Sequence, residues 1–309
     1  MKWTKQGLIY LPNQFHDWNQ SHAQCPVVYP VNDSVWRIYY ATRNKNGQSQ
    51  ISYIEVEANK PKNIIYEHDT YLFDFGKIGT FDDSGLMPSS IVKQKDTVYL
   101  YYIGWTLKKT VPYHNSVGIA ISKDNGKSFE RLYEGSILPP IHTEPYFTGT
   151  SHVLIEDNVW KMWYLSCTKW EIINDKPEPF YHIKYAESLD GIHWKREGVV
   201  AIDFKDQTEG GIVSASVLKE NNIYKMWYGY RSAKDYRTTT ENTYRIGYAE
   251  SNEGKSWKRL DEDVGIELSE QGWDSQMISY PNVIQSQGQK YMFYNGNGFG
   301  KSGFGYATL

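Results

Sequence analysis

The hydrophobic positions of this chain fall in short runs. Aromatic and β-branched residues alternate with polar ones, and Gly, Asn, Asp and Pro separate one run from the next. Period-two patterning of this kind predicts strands, and no segment holds a 3.6-residue period long enough for a helix. One run recurs from end to end. It reads Trp36-Arg37-Ile38-Tyr39-Tyr40, then Tyr99-Leu100-Tyr101-Tyr102, Trp160-Lys161-Met162-Trp163-Tyr164, Tyr224-Lys225-Met226-Trp227-Tyr228 and Tyr291-Met292-Phe293-Tyr294. The last tyrosines stand at 40, 102, 164, 228 and 294, which sets a period of about 62 residues and five units.

Each unit predicts further strands around that run. An apolar strand precedes it, as in Pro26-Val27-Val28 and His152-Val153-Leu154-Ile155. A third strand follows, as in Gln50-Ile51-Ser52-Tyr53 and Arg245-Ile246-Gly247-Tyr248-Ala249. In three units a Ser-x-Asp/Asn/Glu-Gly turn leads to a fourth strand, at residues 122–129, 188–194 and 251–257. The fifth unit is short, so Trp3 to Tyr10 is expected to supply its outer strand. Four strands per unit, five times over, predict an all-β fold: a single-domain five-bladed β-propeller over 1–309, with four-stranded antiparallel blades around a central channel.

Composition agrees. Of 309 residues, 26 are Tyr, 11 Trp and 11 Phe, an aromatic load suited to strands. The net charge of −3 and the lack of a basic cluster beyond Lys108-Lys109 argue against a nucleic-acid partner. No apolar run is long enough to span a membrane. Two cysteines make no disulfide framework, and no signal-like segment is present, so a cytoplasmic protein is expected. No metal-ligand spacing and no phosphate loop followed by a helix occurs, so neither a metal nor a cofactor is expected.

The repeat also aligns candidate chemistry. Twenty residues before each final tyrosine stand Gln20, Asp82, Glu144, Thr208 and Asp274; a one-residue shift brings Glu209 into the fourth place. Four units then share a carboxylate, with Asp83 beside the first. Such residues either cap turns or form a ring of acids at a channel mouth. The predicted innermost strands are rich in short polar groups, among them Ser89, His152 and Ser214. These suit either a water-filled channel or a sugar pocket. Aromatic platforms stand close by in Trp18, Trp105, Tyr146, Trp170 and Tyr280. Loop residues His114, Arg231 and Arg237 add polar contacts, and an arginine can grip a carboxylate or phosphate bidentately.

The repeated Met-Trp-Tyr strands, Tyr-Ala-Glu-Ser at 185–188 and 248–251, and the Ser-x-Asp/Glu-Gly-x-x-Trp turns resemble the five-bladed propeller superfamily of arabinanases, levansucrases and invertases. Phe-Asp-Asp-Ser-Gly (81–85), Gly-Trp-Asp-Ser (272–275) and Asn-Gly-Asn-Gly-Phe-Gly (295–300) place it with a glycosidase-like branch. The resemblance implies a carbohydrate ligand and cleavage or transfer of a glycosidic bond. It also exposes a departure. Where arabinanase-like enzymes carry their three carboxylates, this chain has Cys25, Ser89 or Ser90, and Gly149. Glycosidic cleavage needs one carboxylic acid and one carboxylate. The acids are therefore expected to have moved to the ring, with Glu144 or Glu209 as general acid and Asp83 or Asp274 as base or nucleophile. His22, Asp82 and His152 would bind and orient the sugar. A non-catalytic sugar-binding or scaffold protein is the alternative, and a sialidase-like enzyme ranks below both.

Overall fold

The computed structural model describes residues 1–309. It is all-β, with twenty strands and only three short helical turns. The chain opens on β1 (Thr4–Tyr10) and then forms antiparallel meanders in sequence order. The first contains β2 (Ser21–Pro30), β3 (Val35–Arg43), β4 (Ser49–Glu57) and β5 (Lys60–Glu67). The second contains β6 (Gly85–Gln94), β7 (Thr97–Leu107), β8 (Tyr113–Ser122) and β9 (Glu130–Arg131). The third contains β10 (Thr148–Glu156), β11 (Val159–Ile173), β12 (Lys176–Ser188) and β13 (Val200–Ile202). The fourth contains β14 (Glu209–Glu220), β15 (Ile223–Ser232), β16 (Arg245–Ser251) and β17 (Lys258–Arg259). The last contains β18 (Ser279–Ser286), β19 (Gln289–Asn295) and β20 (Phe304–Thr308), and β1 pairs antiparallel with β20 as its fourth strand. Each predicted aromatic run is the second strand of a unit. The fourth strands begin just past the predicted turns and, in the second to fourth units, are only two or three residues long.

Five apolar clusters lie between units. One joins the first and second through Tyr39, Leu100 and Tyr102; another joins the last and first through Trp36, Tyr40, Phe293 and Tyr306. Alternation along the second strands explains this. Tyr40 and Ile38 face one neighbour and Tyr39 the other, so both faces of each sheet are covered.

The Ser-x-x-Gly turns fasten units together. Gly126, Gly191 and Gly254 all have positive φ, near 80°, which a side chain disfavours. The carbonyl of each turn accepts from the preceding unit's second strand: Tyr39 Oη to Gly126 (2.6 Å), Tyr101 Oη to Gly191 (2.8 Å) and Trp163 Nε1 to Gly254 (2.7 Å). The last unit has no such turn. Trp227, at the matching place, leaves its Nε1 without a partner and meets Trp3 edge-on at 5.9 Å instead.

The first strands of neighbouring units share no backbone ladder, and their polar side chains take its place. Ser90 Oγ accepts from Val153 N (3.0 Å), Thr150 Oγ1 from Ser214 N (2.8 Å), Ser216 Oγ from Val283 N (2.8 Å) and Asn282 Oδ1 from Val28 N (3.0 Å). Ser89 bonds Ser151, and His152 Nε2 meets the Val217 carbonyl at 3.0 Å. The polarity of these strands thus serves strand-to-strand stitching, in which the Ser89 hydroxyl and His152 Nε2, expected as sugar contacts, take part.

Burial holds the His152 imidazole down at about 4, so the folded chain keeps it neutral. The unfolded chain protonates it below ~6.5. Stability is therefore present above that value and drains away as the pH falls toward 4. Urea denaturation at pH 7 and pH 5 should show a loss of about 2 kcal/mol that His152→Gln, which can keep the bond to Val217, removes.

Candidate functional site

The four aligned carboxylates are separated, and each is enclosed within its own sheet. Asp82, Glu144, Glu209 and Asp274 are all buried. Tyr102 Oη donates to Asp82 (3.0 Å), Tyr164 Oη to Glu144 (3.0 Å) and Tyr294 Oη to Asp274 (2.9 Å), each tyrosine twenty residues on. The outer part of the same sheet supplies a cation. Arg131 lies 2.7 Å from Asp82, Lys184 3.3 Å from Glu144, and Lys5 of β1 2.7 Å from Asp274. In the fourth unit Tyr228 donates to Asp261 (2.5 Å), and Arg259 spans Asp261 and Glu209 at 2.7 Å each. The first unit lacks the acid at Gln20; there Tyr40 donates to Tyr10 and Tyr10 to Glu67.

These are acid–tyrosine–cation locks that tie second strands to outer strands. Glu144, Glu209 and Asp274, expected as catalytic groups, and Asp82, expected to bind the sugar, are here buried against cations of their own units, and none of them lines the cavity described next. Asp83 lies in a turn, where its carboxylate accepts from Gly79 N (3.0 Å) and Ser84 Oγ (2.8 Å). Burial raises its carboxyl, but hydrogen bonds from Thr106, Gly79 and Ser84 outweigh that and hold it below the usual range. Asp83 therefore stays ionised, and it lies outside the cavity described next.

The candidate site is a cavity of about 580 Å³. Its walls come from the ends of β2, β3 and β7, the start of β8, the long β11–β12 hairpin, the loop after β15, and the 296–303 loop. Of the predicted contacts, His22, Trp105, Arg237 and Tyr280 line it. Trp105 is set by Ser49, whose Oγ accepts from Nε1 (2.8 Å), and by Gly85, where a Cβ would come within 2.1 Å of the ring. Gly85→Ala should therefore displace Trp105 and weaken any ligand stacked on it at least tenfold, read by calorimetric titration.

Tyr280 owes its direction to a bulge. All five first strands shift register near the same place, and Cys25, Ser214 and Tyr280 take positive φ there, between 53° and 56°. This is a strained backbone for non-glycine residues, of the kind that re-aims side chains beside functional sites. The bulges also surround a narrow space beneath the cavity, bordered by residues of β2, β6, β10, β14 and β18, including Ser89 and Tyr280.

Tyrosines dominate the remaining wall: Tyr113, Tyr181, Tyr236 and Tyr244. Arg231, fully buried, stands behind them. It donates to Tyr181 Oη (3.2 Å), Pro179 O (2.6 Å) and Ser232 O (2.8 Å) and lies 3.7 Å from the Tyr236 ring centroid, so it supports the wall and does not reach a ligand. Glu178 is the one carboxylate on the cavity. It accepts from Tyr236 Oη (2.5 Å) and pairs with Arg237 at 3.4 Å. Trp170 packs on Tyr113 and Phe147, and His114 on Phe147, and neither lines the cavity. Tyr146 is exposed and lines no part of the cavity, and Trp18 stacks on His16 instead. Burial, with Arg43 and Lys301 adding, lowers His22 to about 4, so it enters as a neutral ring.

Several solved structures that share this architecture are described as glycoside hydrolases. One described as "Glycoside hydrolase" superposes with a TM-score of 0.71 at 17% identity, covering 99% of this chain and 90% of its own. A thermostable family-43 glycoside hydrolase gives 0.64 at 15%, with coverages of 93% and 88%. The endo-arabinase of Bacteroides thetaiotaomicron gives 0.63 at 13%, with coverages of 98% and 96%. The fold is the all-β architecture that these solved structures share. No protein-family model matches the chain. Two Mycobacterium tuberculosis proteins, "Uncharacterized protein MT1551" and "Uncharacterized protein Rv1502", are each 35% identical over 309 residues, 100% of this chain and 99% of theirs. The chain belongs to the family of these mycobacterial proteins.

Proposed function

We propose that the protein is a carbohydrate-recognising member of the propeller glycoside hydrolase superfamily and that the 580 Å³ cavity is its sugar site. Five blades closed into a ring form its scaffold in this reading, supported by the apolar cluster between the last and first units and by Asn295, which bonds β2 from the end of β19. The observation that carries the proposal is the lining itself. Trp105, Tyr280 and the tyrosine wall offer apolar faces for a sugar ring, and phenols, Gln24 and Asn115 offer hydrogen bonds. Binding is favoured over hydrolysis by paired carboxylates, since Glu178 alone reaches the cavity.

A hydrolase reading rests on a different observation. Glu178 and Tyr236 form a carboxylate–phenol pair, the arrangement of glycosidases that use a tyrosine nucleophile. Calorimetric titration against a glycan panel, together with an assay for released sugar, separates the two. The binding reading expects saturable uptake with no release, weakened at least tenfold in Trp105→Ala. Release that Glu178→Gln lowers a hundredfold or more establishes the hydrolase instead. No uptake of any glycan overturns the sugar site.

A further inference from the structure

We propose that the cavity selects an acidic sugar, a uronate or a sugar phosphate, and that the Arg43 guanidinium is its anion anchor. This rests on the sugar-site reading above and adds the class of ligand. The observation is an arginine without a counter-ion. Arg43 ends β3, and β3 pairs with β2 so that Arg43 stands opposite Ser21, next to His22. Its side chain lines the cavity and is half-buried. No acidic side chain lies within 4.0 Å of it, and its one side-chain hydrogen bond runs from Nε to Gln24 Oε1 at 3.0 Å.

The other guanidiniums of this region are committed. Arg237 pairs with Glu178, and Arg231 spends its donors on Tyr181 and two backbone carbonyls. Gln24 is fixed as well, because its Nε2 donates to Phe299 O at 2.7 Å and the residue is buried. Gln24 therefore holds Arg43 by Nε and leaves both terminal nitrogens, with four N–H groups, for a ligand. A planar fork of that kind matches the two oxygens of a carboxylate or phosphate.

Charge points the same way. The cavity carries Arg43, Arg237 and Lys176 against Glu178, in a chain whose net charge is −3. Removing a guanidinium from water without a partner is costly. Burial accordingly lowers the Arg43 pKa, and Arg43 in turn helps to depress His22. A bound anion would relieve both. A neutral sugar would leave the cation uncompensated beneath it.

The test is calorimetric titration of the full chain with matched sets: glucose, glucuronate and glucose 6-phosphate; galactose, galacturonate and galactose 1-phosphate; mannose, mannuronate and mannose 6-phosphate. The acidic members should bind at least tenfold tighter than their neutral partner, and comparison of uronate with phosphate identifies the anion. Arg43→Gln should abolish that preference, and Arg43→Lys, which keeps the charge and loses the fork, should retain part of it. Both variants are checked for native circular dichroism. Neutral and acidic sugars binding alike, with Arg43→Gln unchanged, overturns the proposal and leaves the sugar site standing. Binding of none of the nine overturns both.

Discussion

Arg259→Met is expected to lower the unfolding free energy by about 3–5 kcal/mol. The guanidinium spans two carboxylates, Glu209 and Asp261, at 2.7 Å each, and all three side chains are at most 16% exposed. Removing it leaves two buried negative charges facing each other without compensation. The surviving bonds, from Tyr228 Oη and Tyr248 N to Asp261 and from Lys205 N to Glu209, supply hydrogen bonds but no positive charge. For a chain of this size the shift in Tm should be of order 10 °C. Arg259→Lys should recover about half, since an ammonium can neutralise but cannot bridge both acids bidentately. The measurement is thermal unfolding by circular dichroism at neutral pH. An unchanged Tm would mean that the locks do not hold the outer strands.

Asn295→Leu should cost nearly as much, about 2–5 kcal/mol. Asn295 is completely buried at the end of β19. Its Oδ1 accepts from Cys25 N at 2.7 Å and its Nδ2 donates to Ala23 O at 2.5 Å, so one side chain satisfies two backbone groups of β2. Those groups sit at the bulge where Cys25 takes a φ of 53° and forms no ladder bond of its own. Leucine has similar volume but satisfies neither. The substitution acts where the last unit meets the first, so amide exchange in β2 and β18–β20 should quicken before exchange in the third unit. Uniform quickening would contradict the proposed ring closure at that seam.

The five-unit organisation was legible because the second strand of every unit must fill space on both faces of its sheet. That demand keeps large side chains, most of them aromatic, aliphatic or Met, at the buried positions, and the repeat survives as a visible period. The outer role of residues 3–10 was legible for a similar reason: the fifth unit lacked a fourth strand. The aligned acids were legible as positions, but the cations and tyrosines that surround them were not. Sequence places Asp82 twenty residues before Tyr102, but it does not say that Arg131, on the outer strand, folds over both. Ser89 and His152 carry the same ambiguity, because polar residues that stitch splayed strands look like polar residues that bind sugars.

The cavity was only partly legible. Trp105, Tyr280, His22 and Arg237 stood out as aromatic or polar residues at strand ends. Glu178, Tyr181 and Tyr236 did not, since they belong to a hairpin and a loop found in a single unit, and a repeat alignment averages such insertions away. Arg43 carried no signal in the sequence. Its meaning comes from what does not surround it, and that depends on the placement of every acid in the molecule.

Two roles are separated in this molecule: the buried acids hold the fold, and the tyrosine-lined cavity is proposed to meet the ligand. A titration of any glycan found to bind, performed below the melting transition on wild type, Glu144→Gln and Tyr280→Ala, tests this directly. The account predicts a Kd within threefold of wild type for Glu144→Gln despite its lowered Tm, and at least tenfold weaker binding for a natively folded Tyr280→Ala. Loss of binding in folded Glu144→Gln with Tyr280→Ala unaffected would contradict it and return the site to the carboxylates.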